Sequence, residues 1–163
     1  MGHEGCGLMV SHRLTDEDVY RKYADDLVRF AMGLVGPTDA PDVVSEATIR
    51  ALSSAGWGSV VNQRAYLYRA VLHQASNSHR DRQRRWDREL RAAGSIVTEP
   101  PEYRPEVLAA VRRLSLRQRA VIVLAYWEQL TVSEIAARLG ISEGSVRRHL
   151  ARARSKLRGW LDD

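Results

Sequence analysis

The segment from residue 131 to residue 157 constrains the fold most, because its spacing of cap residues, apolar residues and one glycine specifies two helices joined by a tight turn. Thr131 and Glu134 have the spacing of a capping box, which predicts a helix that starts at Val132. Its apolar face would consist of Ile135, Ala136 and Leu139. Gly140 ends this helix, because glycine adopts the positive φ that such a turn needs.

The second helix of the segment has an apolar side and a basic side. After Ser142, a second N-cap candidate, the apolar residues recur at spacings of four, three and four, at Val146, Leu150, Ala153 and Leu157. The opposite side then carries Ser145, Arg148, Ala151 and Arg152, with Arg147 and His149 on its flanks. Because the small Ala136 lets two helices cross closely, the pattern predicts a DNA-reading helix-turn-helix. The alternative is an ordinary helical hairpin with a solvated basic face, which the lack of interleaved acids after Glu143 disfavours.

Composition agrees with an anionic partner. The 163-residue chain has a net charge of +5, and Lys22 and Lys156 are its only lysines. Arginine suits phosphates and guanine because its planar fork donates two parallel hydrogen bonds. The single cysteine, Cys6, excludes an intramolecular disulfide and indicates a reducing compartment. No apolar run reaches the roughly 18 residues of a membrane span, so we expect no membrane insertion and a cytoplasmic protein.

The sequence gives little support to an enzyme. It contains no Gly-rich phosphate loop, no HExxH motif, no nucleophile elbow and no Cys/His catalytic pairing. His3, Cys6 and His12 lie in a glycine-containing tail, residues 1–15, where no fourth ligand at a known spacing follows. We therefore expect no catalytic residue, no metal site and no cofactor.

The rest of the chain predicts an all-α protein made of two small helical bundles. In the first bundle, helices are expected from Asp16 to the Gly36-Pro37 stop, from about Asp39 to Leu52, and from Gln63 to beyond residue 85. A Pro-containing linker at 93–105 separates residues 16–92 from residues 106–163. In the second bundle, helices over Glu106–Leu114 and Leu116–Trp127 precede the helix-turn-helix. Because few contacts should cross such a linker, we expect the two bundles to be separable.

The helical periodicity predicts which residues face the core. They are Tyr20, Tyr23, Leu27, Phe30, Ala31 and Leu34 in the first helix, and Val43, Ala47, Ile49 and Leu52 in the second. In the helix before the helix-turn-helix, the residues expected to pack on that unit are Ala120, Val121, Val123, Leu124 and Tyr126.

Four blocks, in this order, resemble the extracytoplasmic-function group of bacterial RNA polymerase sigma factors. They are YRKYADDLVRFAMGLVG, DAPDVVSEATIRAL, the RAYLYRA segment leading into an arginine run, and LSLRQRAVIVLAYWEQLTVSEIAARLGISEGSVRRHLARARSKLR. The resemblance covers nearly everything after residue 15 and implies two DNA-binding domains, region 2 (16–92) and region 4 (106–163). It implies a protein that binds core RNA polymerase and directs transcription initiation at promoters with −10 and −35 elements.

The resemblance also assigns roles to residues. The carboxylates of Asp39, Asp42 and Glu46 are spaced to share one helical face, which in the family docks on the clamp helices of the largest polymerase subunit. Ser45 stands where a glutamine is expected. A solvated acidic face is the alternative.

For the −10 element, the resemblance points to the loop from Gly56 to Val61 and the helix after it. The candidate contacts are Trp57, Tyr66, His73, Asn77, Arg80 and Arg84. Tyr66 and Tyr68 cannot both face DNA, so one of them should be core. His73 stands where asparagine is usual. A purely solvated basic helix is the competing interpretation of the arginine run.

For the −35 element, the resemblance assigns base reading to Ser145, Arg147, Arg148, Ala151 and Arg152, the outward side derived above. It also implies an anti-sigma partner that masks the two domains. The nearest alternative function is a stand-alone helix-turn-helix regulator, which would dimerise and bind its operator without polymerase.

Overall fold

In the computed structural model, which describes residues 15–77 and 105–161, every regular element is helical, as predicted. The first bundle contains α1 (Asp16–Val35), α2 (Ala40–Leu52) and α3 (Gln63–Asn77), with a short 3-10 turn at Trp57–Ser59 between α2 and α3. The second contains α4 (Pro105–Arg112), α5 (Leu116–Ile122), which continues as a π-helical segment over Val123–Trp127, α6 (Val132–Leu139) and α7 (Glu143–Leu161). None of the helices in these two ranges has the length and apolar character needed to cross a bilayer.

The ends of α1 follow from local chemistry. Thr15 accepts a hydrogen bond from the backbone of Asp18, whose carboxylate in turn accepts from the backbone of Thr15, so a capping box starts the helix. At the other end Gly36 has φ 91°, and its N–H donates to the carbonyl of Met32. The predicted limits of this helix are confirmed.

The core of the first bundle lies where α1, α2 and α3 face one another. The rings of Phe30 and Tyr68 are 4.9 Å apart and fully buried. Two core assignments are wrong: Ile49 is 66% exposed and Tyr20 is 38% exposed. The buried stripe of α2 instead consists of Ala40, Val43, Val44, Ala47, Thr48 and Ala51. With 3.6 residues per turn, position 49 falls outside that stripe.

The helix-turn-helix has the predicted form. Thr131 and Glu134 make the capping box of α6, and Gly140 ends the helix in the left-handed conformation, with φ 65° and ψ 37°. Ser142 accepts a hydrogen bond from the backbone N–H of Ser145 at 3.2 Å and so caps α7. Val146, Leu150 and Ala153 are buried, as the apolar spacing predicted. Tyr126 departs from the prediction, since its side chain is 56% exposed.

The two bundles pack against each other, so the expectation of few contacts between them is wrong. Arg119 on α5 is only 1% exposed, and its guanidinium donates to the carbonyl oxygens of Leu34 on α1, Arg112 and Leu114. Burial, and then the charge of Arg112, lower the pKa of Arg119 to about 10, which leaves it charged at neutral pH. One buried arginine thus joins α1 to two points of the second bundle.

A second polar contact joins α3 to the second bundle. The Tyr68 hydroxyl donates to the two carboxylate oxygens of Glu128 at 3.0 and 3.1 Å, and the Arg138 guanidinium lies 4.7 Å from the centre of the Tyr68 ring. Burial, with the Glu128 carboxylate, raises the pKa of Tyr68 to about 12, so the hydroxyl stays a donor. Gly33 on α1 lies against Val123, where a Cβ would come within 2.5 Å of a methyl carbon. These contacts need the tertiary arrangement, which the linker composition does not reveal.

Candidate nucleic-acid interface

The outward side of α7 is the first candidate DNA-binding surface. Arg147, Arg148, Ala151 and Arg152 are exposed there, and Ser145 is half-buried. Arg147 makes an ion pair with Glu143 at 2.8 Å, one turn earlier, with both side chains largely in solvent. Exposed pairs of this kind contribute little, so Arg147 can exchange its partner for another anion at low cost. The predicted recognition residues therefore form one open surface, here called the recognition face.

Two contacts at the edge of this surface involve residues outside α7, Arg117 and Tyr126, and were not predicted from the sequence. His149 is half-buried, and its pKa is lowered by burial first and then by the charges of Arg117, Arg152 and Arg148. Arg117 comes from the first turn of α5, more than thirty residues earlier in the chain. Only the packing of α5 on α7 brings it to the edge of the recognition face, so helical spacing within α7 gave no signal for it.

Tyr126 and Arg154 form a second such contact. The Arg154 Nε donates to the Tyr126 hydroxyl at 2.7 Å, and its guanidinium lies 5.6 Å from the centre of that ring. The exposed Tyr126 side chain thus orients Arg154 on the outside of α7. The sequence predicted that Tyr126 packs in the core. Its contact with Arg154 instead joins the end of the π-helical segment to α7.

The second candidate surface is a cavity of about 320 Å³ between α2 and α3. Its apolar wall consists of Ala47, Ala51 and Ala70, and its polar wall of Arg50, Ser54, Tyr66, Arg69, His73 and Gln74. A volume of this size lies at the lower end of the range for small-ligand sites. The cavity therefore has room for one small ligand.

The predicted −10 residues have different positions relative to this cavity. Tyr66 lines it, half-buried, with its hydroxyl 3.3 Å from the Ser54 hydroxyl, and His73 lines it from an exposed position. Asn77 is exposed one turn further along α3, with its amide nitrogen 3.5 Å from His73 Nδ1. Tyr68 is the core tyrosine of the pair. Arg80 and Arg84 lie outside the described residues.

Trp57 has a structural position in this arrangement. Its side chain is buried, its indole N–H donates to the Asp16 carboxylate at 2.9 Å, and its ring packs edge-on to Tyr66 with centroids 5.7 Å apart. It supports the Tyr66 ring from behind and has no face open to a base. Its burial was not visible in the sequence, because glycines on both sides of it indicated an open loop.

The three acidic residues predicted to form the docking face at α2 differ in exposure. Asp42 is exposed, whereas Asp39, at the N-cap of the helix, is buried. Glu46 is exposed but accepts a hydrogen bond from the Gln74 side-chain amide on α3. The open acidic surface thus consists of Asp42 and Glu46, and Glu46 is already bound within the bundle. Among the described residues, no three His, Cys, Asp or Glu side chains gather closely enough to hold a metal ion.

Comparison with known proteins identifies both bundles. The Sigma-70 region 2 family matches residues 19–85, and Sigma-70, region 4 matches residues 104–157. The chain is 31% identical to an RNA polymerase sigma-E factor of Streptomyces antibioticus, over 90% of this chain and 84% of the relative. It is 33% identical to the ECF RNA polymerase sigma factor SigL of Mycobacterium tuberculosis, over 89% and 88%.

Solved structures agree with the fold. CnrH, in complex with the cytosolic domain of CnrY, matches with a TM-score of 0.59 and 25% identity, over 90% of this chain and 87% of that chain. The sigma factor RpoE of Bartonella quintana, in complex with the anti-sigma factor NepR, has the same TM-score at 23% identity, over 90% and 98%. The chain therefore belongs to the sigma-70 family, in the extracytoplasmic-function group of RNA polymerase sigma factors.

Proposed function

We propose that this chain binds core RNA polymerase and directs promoter-specific transcription initiation, with α7 reading the −35 element and α3 contacting the −10 element. The observation that carries the proposal is that one chain of sigma-70 type has two separate candidate surfaces for nucleic acid, the recognition face and the cavity. A stand-alone regulator needs only the first of these.

The recognition face supports base reading by arginine. Arg148 and Arg152 are exposed one turn apart on α7, so both can enter the same major groove. Each can donate two hydrogen bonds to a guanine edge, which discriminates by about 1–3 kcal/mol. Arg154, oriented by Tyr126, and Arg117 are suited to phosphates beside that groove.

The cavity supports contact with an unstacked base. Opening a promoter takes bases out of the duplex stack, and an aromatic ring that receives one contributes about 1–3 kcal/mol. Tyr66 offers its ring at the cavity wall, and His73 adds a polar contact at the rim. Arg80 and Arg84, in the arginine run that follows α3, are proposed to hold backbone phosphates.

Partners follow from the same arrangement. One helix-turn-helix buries only about 600–1,000 Å² on DNA, so a monomer gains affinity when a large holder presents both of its surfaces at once. Core polymerase is that holder, and Asp42 with Glu46 is the proposed docking surface for its clamp helices. Of the two solved structures of similar fold, the sigma factor RpoE was solved with the anti-sigma factor NepR, and CnrH was solved with the cytosolic domain of CnrY. We propose an anti-sigma partner for this chain as well.

The direct experiment is reconstitution. Purified chain is mixed with core polymerase and tested for co-purification, and the complex then transcribes a randomised promoter library whose run-off products are sequenced. Enrichment of two elements, near −10 and −35, is the expected result. Binding of the library by the isolated chain as a dimer, with no polymerase co-purifying and no transcript, would contradict the proposal and indicate a stand-alone regulator.

A further inference from the structure

A hydrogen-bonded chain of three side chains connects α2 to α3 beside the cavity. Gln74 on α3 is 6% exposed, and both ends of its side-chain amide are bound to α2. Its Oε1 accepts from Arg50 Nη1 at 2.9 Å, and its Nε2 donates to Glu46 Oε2. Arg50 itself lines the cavity, although the resemblance to sigma factors gave it no role.

The amide at position 74 satisfies both neighbours, because it carries an acceptor and a donor. The Arg50 guanidinium has donors and no acceptor, and the Glu46 carboxylate has acceptors and no donor. A carboxylate at position 74 would face Glu46 with a like charge, and a cation would face Arg50. The two partners therefore determine the orientation of the Gln74 amide. The amide oxygen in turn holds Nη1 of Arg50 against α3.

The remaining donors of Arg50 stand at the wall of a cavity that is rich in donors. Arg69 and His73 line the same cavity, and none of its lining residues within the described ranges 15–77 and 105–161 is a carboxylate. The guanidinium donates in a planar fork, which binds best to two neighbouring acceptors on one edge. Guanine offers such a pair at O6 and N7, and cytosine offers one at N3 and O2. Adenine and thymine place a donor next to each acceptor at the corresponding position.

We infer that Arg50 is a further specificity-determining residue of the −10 site, which reads an unstacked guanine or cytosine of the opened strand, and that Gln74 is its positioning residue. This inference rests on the proposed sigma-factor function. It adds a reader from α2 to a site whose predicted residues all came from the following loop and from α3.

The test uses holoenzyme reconstituted from the full chain and core polymerase. Fork-junction DNA carries a single-stranded −10 segment in which each position is varied over the four bases, and competition binding gives relative affinities. Wild type should prefer guanine or cytosine over adenine at one position by about 5- to 150-fold. Arg50→Ala should abolish that preference at that position only. Arg50→Lys, which keeps the charge and loses the fork, should lose most of the preference while retaining overall affinity.

Two further variants distinguish a loss of base preference from a general loss of DNA affinity or of folding. Gln74→Met removes both hydrogen bonds but keeps an unbranched helix former, and it should weaken the same preference less than Arg50→Ala does. Arg21→Ala, an exposed arginine on α1 whose carboxylate partner is Glu17, is the matched control and should leave every preference unchanged. Circular dichroism should show equal helicity for the Arg50 and Arg21 variants, since both arginines are exposed.

The outcomes are distinguishable. Loss of the guanine or cytosine preference in Arg50→Ala supports the inference, as does a smaller loss in Gln74→Met. An equal loss of affinity for all four bases makes Arg50 a phosphate contact and overturns it. Holoenzyme that initiates transcription with no guanine or cytosine preference at any −10 position overturns it while the proposed function stands. Failure to initiate from any promoter removes the proposed function itself.

Discussion

The recognition face and the cavity differ in how each is built from the chain. The recognition face lies on one helix, α7, and its exposed arginines follow from 3.6-residue periodicity and one glycine turn. The cavity lies between α2 and α3, and its walls combine residues from positions 47 to 74. A surface on a single helix needs only the local rules of that helix, whereas a site between helices depends on which faces pack together.

The difference shows which kind of residue sequence reasoning overlooks. On α7 four of the five predicted readers are exposed and Ser145 is half-buried, and the additions, Arg117 and Tyr126, both come from another helix. At the cavity Trp57 is buried behind Tyr66, and Arg50 and Gln74 join the site from opposite helices. Residues that one helix contributes to the site of another leave no periodic signal.

The largest expected effect tests whether the two bundles form one folding unit. Arg119→Ala removes a charged donor from the carbonyl groups of Leu34, Arg112 and Leu114, and it should lower the free energy of unfolding by at least about 3 kcal/mol. Chemical denaturation followed by circular dichroism measures this. Arg117→Ala, an exposed arginine on the same helix, is the control and should change it by less than about 0.5 kcal/mol. Two separate transitions in wild type would show that the bundles unfold independently.

The next effect concerns the recognition face. Arg148→Ala or Arg152→Ala should reduce promoter use by about 1–3 kcal/mol and relax base preference in the −35 element, as loss of a bidentate contact does. Transcription from the randomised library measures both. A uniform loss over all −35 sequences would instead make these residues phosphate contacts, and the recognition face would then lie elsewhere on the second bundle.

Arginines of the run after α3 should behave in the opposite way. Arg80→Ala or Arg84→Ala should weaken binding over all sequences and reduce the salt slope by roughly one unit for each lost phosphate contact. Binding isotherms at several salt concentrations measure the slope. A change in −10 base preference without a change in slope would contradict the phosphate assignment.

Replacing an acidic residue of the proposed docking surface should have a moderate effect on core polymerase binding. Asp42 is the better residue to replace. Glu46 is part of the Gln74 contact, so its reversal would disturb the cavity as well. Asp42→Lys avoids this and should weaken core polymerase binding by about 1 kcal/mol, as expected for a reversed surface charge. Titration with labelled core polymerase measures the affinity, and binding of the −35 element should be unchanged. Equal core affinity for Asp42→Lys and wild type would remove the docking assignment.

The smallest effect is a pH dependence from His149. Because its pKa is lowered in the folded protein, the unfolded chain binds its proton more tightly, and stability must fall as pH decreases below 6.5 and through the lower folded pKa. His149→Gln should remove that part of the acid-side loss. Denaturation midpoints at pH 7 and pH 5 measure it, and an identical decrease in both proteins would show that His149 does not contribute.

Features that depend on neighbours along the chain could be predicted from the sequence. The capping boxes at Thr15 and Thr131, the left-handed turn at Gly140 and the buried stripe of α7 all follow from contacts within a few residues. The two-bundle organisation was predicted from the Pro-containing linker at 93–105 and agrees with the order of the family motifs, because both are properties of the sequence.

The way the helices pack against one another could be seen only in the folded chain. The burial of Trp57, the binding of Glu46 by Gln74 and the closure of one bundle on the other through Arg119 involve residues 28 to 85 positions apart. The exposure of Ile49 depends on the same packing. A hydrogen bond or a packed face over such separations depends on the crossing of two helices, and periodicity specifies which residues share a face without specifying what that face contacts.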